Sequence, residues 1–482
     1  MRIPLDISNE IPLYRQIENW FRTNIQSGSL PAETKLPSTR ELANELGVSR
    51  ITVKNAYTNL ESDGVVYTRE GSGTYVSPPI PDLGVRPPIQ PATWPLWQME
   101  VEDDYAIEPA PPYLSPSDTI AFIGVGDPRE FPLKEFARTV REVFDHDGIE
   151  ALEYGGLHAG YPPLRETIAH ILASQGIAAR PGEVLVTGGS QQALALVCQA
   201  LLKPGDTVLV EKPTYNFALE LFRSLKLKIT GIPVDSQGMQ VEYLEPVLQK
   251  QHPRLIYTIP VFQNPSGMCM SISRRRQLLE LAARYNVPIL EDDFVSDLRY
   301  EGRSLPAIKS LDPGGQVIYT GTFSKMLMPG LRIGYLLADG PIFDRLLRLK
   351  WVQDLATSNL MQHVLDTYVT VGRYQSHVRR STRLYRKRRD AMQMAIRRYL
   401  PAGVTYAVPH GGLFLWLRLP EGMTCTELLP KAMHQGVEFS PGTRYFPDPD
   451  EGLPFIRLNF ATHTPEEIDE GIRRLGKAMR DA

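Results

Sequence analysis

Cysteine is scarce in this chain. Its 482 residues include three, Cys198, Cys269 and Cys425, far apart and with no CxxC spacing. That argues against a disulfide framework or a zinc site and fits a reducing compartment. Long apolar runs are also missing. No uncharged stretch reaches bilayer-spanning length, and the N-terminal MRIPLDISNEIPLY has no apolar signal core. A cytoplasmic protein with no membrane contact is the expectation. Excess charge of either sign is absent too, with 52 Lys and Arg against 55 Asp and Glu. Any contact with a polyanion must then come from a local patch. What is there is an ordinary globular balance, 42% hydrophobic and 22% charged, in a chain long enough for two or three domains.

Residues 12 to 76 read as one compact unit. Leu13, Ile17, Trp20, Phe21 and Ile25 recur at helical spacing, and that helix stops near Gly28. Two short helices follow. Ser38 and Glu41 form a possible capping box for the first, Gly47 breaks it, and Ser49 caps the second. The buried side of the second would hold Val53, Ala56, Tyr57 and Leu60. The runs VVYTRE and GTYVS, joined around Gly71–Gly73, read as a hairpin. Helix-turn-helix plus hairpin is a winged helix. Arg40, Ser49, Arg50, Thr52 and Lys54 would lie at or near the helix starts, opposite the apolar stripe. There arginine can read guanine and hydroxyls can bind phosphate. Arg69 and Gly71, in the wing, would approach the adjacent DNA backbone.

The texture changes at Ser77. Prolines crowd the stretch 78–117, which reads as a semi-extended linker after a first domain of residues 1–77. Beyond Thr119, strand patterns such as VLVTG, VLVEKPTY, RLIYTIP, VPILED and QVIYTG alternate with amphipathic helices. Such alternation predicts an α/β fold on a largely parallel sheet over 118–376. A long charged helix, short strands and a final helix predict a separate α+β lobe over 377–482. The basic run HVRRSTRLYRKRRD within it reads as a solvated helix face rather than a second nucleic-acid surface.

The candidate chemistry centres on GTFSKMLMPGLRIGY. Lys325 follows an apolar strand and a hydroxyl-rich turn, and Arg332 comes seven residues later. An amine so placed suits covalent chemistry better than a surface charge does, although alone it also reads as a loop lysine. GGSQQAL puts Ser190 and Gln191 at a helix start, where free amides bind phosphate. Tyr215, in the PTY turn, could stack on a flat ring or fill the core. Asn264 in QNPSG follows a strand end and can donate to a phenolic oxygen. Asp292 ends another strand, where α/β sites form, and a carboxylate there could keep a pyridine nitrogen protonated. Arg457 is a charge inside the apolar run FIRLNF, suited to a carboxylate or, on an edge strand, to water.

In order and spacing these residues resemble the fold-type I enzymes that use pyridoxal 5'-phosphate (PLP), in the aminotransferase class I branch. LPSTRELA and GSGTYV resemble the GntR-type winged helix, and the whole chain resembles the MocR family of PLP-dependent regulators. The resemblance implies a Schiff base on Lys325 and Asp292 at the pyridine nitrogen. It implies Tyr215 for stacking, and Ser190, Gln191, Ser324 and Arg332 around the phosphate. Tyr154 would reach the phosphate of a partner subunit in a homodimer, and Arg457 would take the ligand carboxylate. It further implies a double-stranded DNA operator with paired half-sites, and an amino compound or PLP itself as effector. Phe294 stands where many members carry a tyrosine, so its hydroxyl bond to the phenolic oxygen is lost, while Asn264 retains one donor. The QNPSG wording more closely resembles the enzyme relatives, such as the 2-aminoadipate-type aminotransferases. A working aminotransferase with an accessory head is therefore the competing expectation.

Overall fold

The computed structural model describes residues 3–6, 11–69, 71–78, 118–124, 126–155 and 158–481. Two compact units are present, Met1–Glu102 and Asp103–Ala482. The linker expected over 78–117 lies outside the described residues, Pro78 apart.

In the first unit, helices α1 (Leu13–Gln26), α2 (Thr39–Leu46) and α3 (Arg50–Ser62) precede the hairpin β1 (Val66–Arg69) and β2 (Gly73–Val76). Local chemistry sets these limits. Ser38 accepts from the Glu41 amide while the Glu41 carboxylate accepts from the Ser38 amide, a complete capping box. Gly47 then takes the left-handed φ of 66° that ends α2, and Ser49 caps α3. Ile17, Phe21, Leu42, Val53, Ala56 and Leu60 close the core, with Phe21 edge-on to Tyr57 at 5.6 Å. Glu18 is buried among them, satisfied by Arg22 and Asn59, which ties α1 to α3.

The second unit is built on an eight-stranded sheet in the order 184–187, 334–337, 317–322, 289–293, 255–258, 207–212, 228–235 and 238–239. Strands 317–322 through 228–235 are mutually parallel. Strands 334–337 and 238–239 pair antiparallel with their neighbours. Both faces are covered, which is why these strands read as unbroken apolar runs. The strand period of two sorts them: Val208, Val210, Leu255 and Tyr257 enter one core, Leu209 and Ile256 the other.

A four-stranded antiparallel sheet in the order 405–406, 414–418, 455–459, 440–441 makes the C-terminal lobe, packed with helices Arg373–Tyr399 and Pro465–Arg480. Two features cross the division expected at 376/377. The long helix begins at Arg373, so a division at 376/377 falls inside it. The first described strand of this unit, Ile120–Ala121, pairs with Val437–Glu438 rather than with the large sheet. The next residues are held the same way. The Asn459 amide donates to the Phe122 carbonyl at 2.9 Å, and its side-chain Nδ2 donates to the Gly124 carbonyl at 2.7 Å. Among the described residues no helix is long and apolar enough to cross a membrane.

Candidate functional site

Parallel strands deliver their carboxyl ends to one edge of the sheet, and a cleft lies there. Asp292 pairs in register with Thr320, and Lys325 follows three residues after strand 317–322 ends. Asn264, Tyr215 and Ser190 come from the turns after three further strands. Arg457 arrives from the C-terminal lobe. It sits on the inner strand 455–459, flanked in register by Trp416 and Ser440, and is buried, which rules out a water-facing edge arginine. Six of the residues singled out in the sequence therefore line one cleft: Ser190, Tyr215, Asn264, Asp292, Lys325 and Arg457.

The electrostatics are those of charges withdrawn from water. Burial pushes the Asp292 carboxyl up to about 7, with Asp293 adding to the rise and the Tyr257 hydrogen bond and Lys325 opposing it. Burial lowers the Lys325 ammonium to about 8, helped by Arg457 and Arg332 and opposed by Asp292. Arg457 donates through Nη1 to Asn264 Oδ1 at 2.9 Å, and its guanidinium lies 4.0 Å from the Phe414 ring centroid and 5.0 Å from that of Tyr445. Beneath the cleft the buried Glu211 accepts from Thr258 Oγ1, the Ile259 amide and Gln263 Nε2, which fixes the turn that carries Asn264.

Other expected residues are placed differently. Ser324 is buried beside the cleft, and Arg332 is exposed and donates to the Gly188 carbonyl at 3.0 Å. Gln191 donates to the Phe217 carbonyl and does not line the cleft. Tyr154 is 77% exposed and lines a separate hollow with Glu150, His158 and Asn359. Phe294 lines the cleft, its ring parallel to that of Phe414, with no hydroxyl to offer. Tyr257, Ser440 and Tyr445 belong to the site and were missed. Tyr257 sits in an apolar strand, Ser440 in a two-residue strand and Tyr445 in a short turn, settings that carry no signal of their own.

In the head, Arg40, Arg50 and Lys54 are exposed on α2 and α3. The Ser49 and Thr52 hydroxyls bond each other at 2.8 Å, and Ser49 Oγ also accepts the Thr52 amide. Arg69 is engaged as well, bonded to Glu33 and lying over the Tyr67 and Tyr75 rings. Gly71 holds the wing turn at φ 74°.

Residues 121–475 match the aminotransferase class I and II family, and residues 13–76 match the bacterial regulatory proteins of the gntR family. The chain belongs to the class I and II aminotransferases. With its gntR head it has the two-part architecture of the MocR-type regulators. It is 33% identical to the "Probable rhizopine catabolism regulatory protein MocR" of Rhizobium meliloti, over 98% of this chain and 95% of that one. It is 39% identical to aromatic-amino-acid aminotransferase 1 of Thermococcus litoralis, over 76% of this chain and 89% of the relative. Among solved structures, the kynurenine aminotransferase of Pyrococcus horikoshii superposes with a TM-score of 0.73 at 38% identity, covering 76% of this chain and 91% of that one.

PLP is the cofactor this family implies, and the donor set fits it. Asp292 Oδ1, Ser324 Oγ and Arg457 Nε are buried with no hydrogen-bond partner among the described residues. Buried polar groups left so are normally completed by a ligand or water. Helix Ser190–Leu201 starts with no side-chain cap, leaving its first amides to an anion. Gly189, at φ 107°, keeps the adjoining space open, since a Cβ there would meet the Arg332 guanidinium at 2.6 Å.

Proposed function

We propose that this chain is a transcriptional regulator whose aminotransferase-like body holds PLP on Lys325 and senses an amino compound, or PLP itself, to alter DNA binding by its gntR head. The observation that carries the reading is the joining of a complete winged helix to a body in which Lys325, Asp292 and Arg457 share one cleft. The similarity to the MocR protein, which spans head and body alike, supports it.

Bound there, PLP would supply an aldehyde that condenses with amines and a ring that accepts electrons. The chain's residues account for the rest. Lys325 would hold the aldehyde carbon, and Asp292 Oδ1 would hold a proton on the ring nitrogen. Asn264 would donate to the phenolic oxygen and Tyr215 would cover a ring face. Ser190, Gln191, Ser324 and Arg332 would surround the phosphate, and Arg457 would take a ligand carboxylate. A ligand amine taking the place of the Lys325 amine would change the charge at Lys325 Nζ, and its carboxylate would give Arg457 an anion. That difference in binding energy between two states is what a regulator needs, a few kcal/mol being sufficient.

The body is expected to work as a homodimer. Ile149, Leu152, Tyr154, Trp351, Val352 and Leu355 are all exposed along adjoining segments, a larger apolar face than scattered surface residues make. Tyr154 on that face would serve the partner's phosphate site, and DNA half-sites would be paired to match.

A second reading, a working aminotransferase of the 2-aminoadipate kind, is favoured by one observation. Lys325, brought down to about 8, can act as a base on a substrate carbon near neutral pH. Gel shifts on the DNA upstream of the protein's own gene, with and without PLP and a panel of amino acids, test the main reading. Specific binding that PLP or an amine alters is the expected result. Rapid turnover spectra with no specific DNA binding would replace the regulator by the enzyme.

A further inference from the structure

The outward face of α3 holds an unexplained apolar side chain. Ile51 is 70% exposed, while Val53, Ala56, Tyr57 and Leu60 on the opposite side are buried. Helical spacing places Ile51, Lys54, Asn55 and Thr58 on one stripe, and all four are exposed. Ile51 is the second residue of the helix, with Arg50 before it and Arg40 exposed on α2. An isoleucine that shares its exposed helix face with Arg50, Lys54 and Asn55 is poorly placed for an apolar protein partner. It is well placed against a polyanion that presents an isolated apolar group.

Duplex DNA presents such a group in the major groove, the C5 methyl of thymine, and a recognition helix meets base edges with its N-terminal residues. Asn55, one turn further on, offers the donor and acceptor pair that matches adenine N7 and N6. We infer that Ile51 is a base-reading residue of the head, packing on a thymine methyl in each half-site, with Asn55 beside it favouring A·T pairs. Lys54 and Arg50 on either side would take phosphates, which position the helix without selecting sequence. The inference rests on the proposed DNA binding of this head.

The test uses the full PLP-loaded chain. Selection from a randomised duplex pool gives its preferred sequence, and probes of that sequence then carry uracil in place of each thymine in turn. Uracil lacks only the methyl group. One position per half-site is expected to respond, with affinity falling roughly fourfold for each methyl lost, the value of burying one such group. Ile51→Ala is expected to weaken binding to the thymine probe by at least as much and to be indifferent to uracil at that position. Because the uracil arm alters the DNA alone, it reports whatever the variant does to folding. Tolerance of uracil at every position, or an Ile51→Ala protein that selects the same sequence with the same uracil sensitivity, would overturn the inference. A pool that enriches nothing would overturn the DNA-binding reading itself.

Discussion

The Tyr257 hydroxyl donates to Asp292 Oδ2 at 2.7 Å, from the strand next to the one that carries Asp292. One oxygen of that carboxylate is thereby occupied, and the other, Oδ1, is buried without a partner among the described residues. The tyrosine thus decides which oxygen remains for a ligand.

Tyr257→Phe should raise the Asp292 carboxyl further above about 7, because the one hydrogen bond that favours the anion is removed. PLP affinity should drop about tenfold, the equivalent of roughly 1.4 kcal/mol. A fluorescence titration of the cofactor-free protein at several pH values measures both. Unchanged affinity and an unchanged pH profile would show that the bond is only structural.

Asp292→Asn should behave differently with and without cofactor. The folded carboxyl lies at about 7, above its ordinary value of 3.8, so its protonation favours the folded state. That stabilising contribution is full below the ordinary value and is lost as pH rises through about 7. The cofactor-free variant should therefore gain in melting temperature relative to the parent between pH 5 and pH 8. PLP retention should fall at both pH values, read by dialysis and absorbance.

Lys325 sets a third expectation. With its ammonium at about 8 rather than 10.5, the neutral amine is half populated near pH 8. Covalent uptake of PLP, followed by stopped-flow absorbance, should accelerate up to that pH and then level off. A lysine in water would keep accelerating beyond pH 10. Lys325→Ala should leave no cofactor that borohydride can fix to the chain.

Ser49 separates the stability of the head from its binding. Ser49→Ala removes the α3 cap and should cost about 1 kcal/mol of head stability. Ser49→Asp keeps a capping oxygen and should melt like the parent, yet it sets a carboxylate where DNA phosphates would lie. Its affinity for duplex DNA should fall severalfold, and more steeply at low salt. Binding equal to the parent's would place the start of α3 away from the backbone.

Most of the cleft was legible because its residues end strands. Asp292, Asn264, Tyr215 and Lys325 each follow an apolar run that stops, and parallel strands bring such stops to one edge. Arg457 was legible as a charge inside an apolar run. Tyr257 was not, because its partner lies 35 positions away and its own setting, an unbroken buried strand, describes a core residue equally well. The pairing of Ile120–Ala121 with Val437–Glu438 was also hidden, since a two-residue strand has no period to read. The bond between the Ser49 and Thr52 hydroxyls was not read from the sequence, where only the cap by Ser49 was visible.

The bonds from Asn459 to Phe122 and Gly124 have a mechanical meaning. Asn459 lies two residues beyond Arg457 on one strand, and Ile123 and Gly124 line the same cleft. The segment they clamp lies in the first described stretch of the second unit. A ligand carboxylate bound at Arg457, as proposed, would bear on the strand to which that segment is bonded. The first described stretch of the body is thus bonded to the lobe that carries Arg457 rather than to the large sheet.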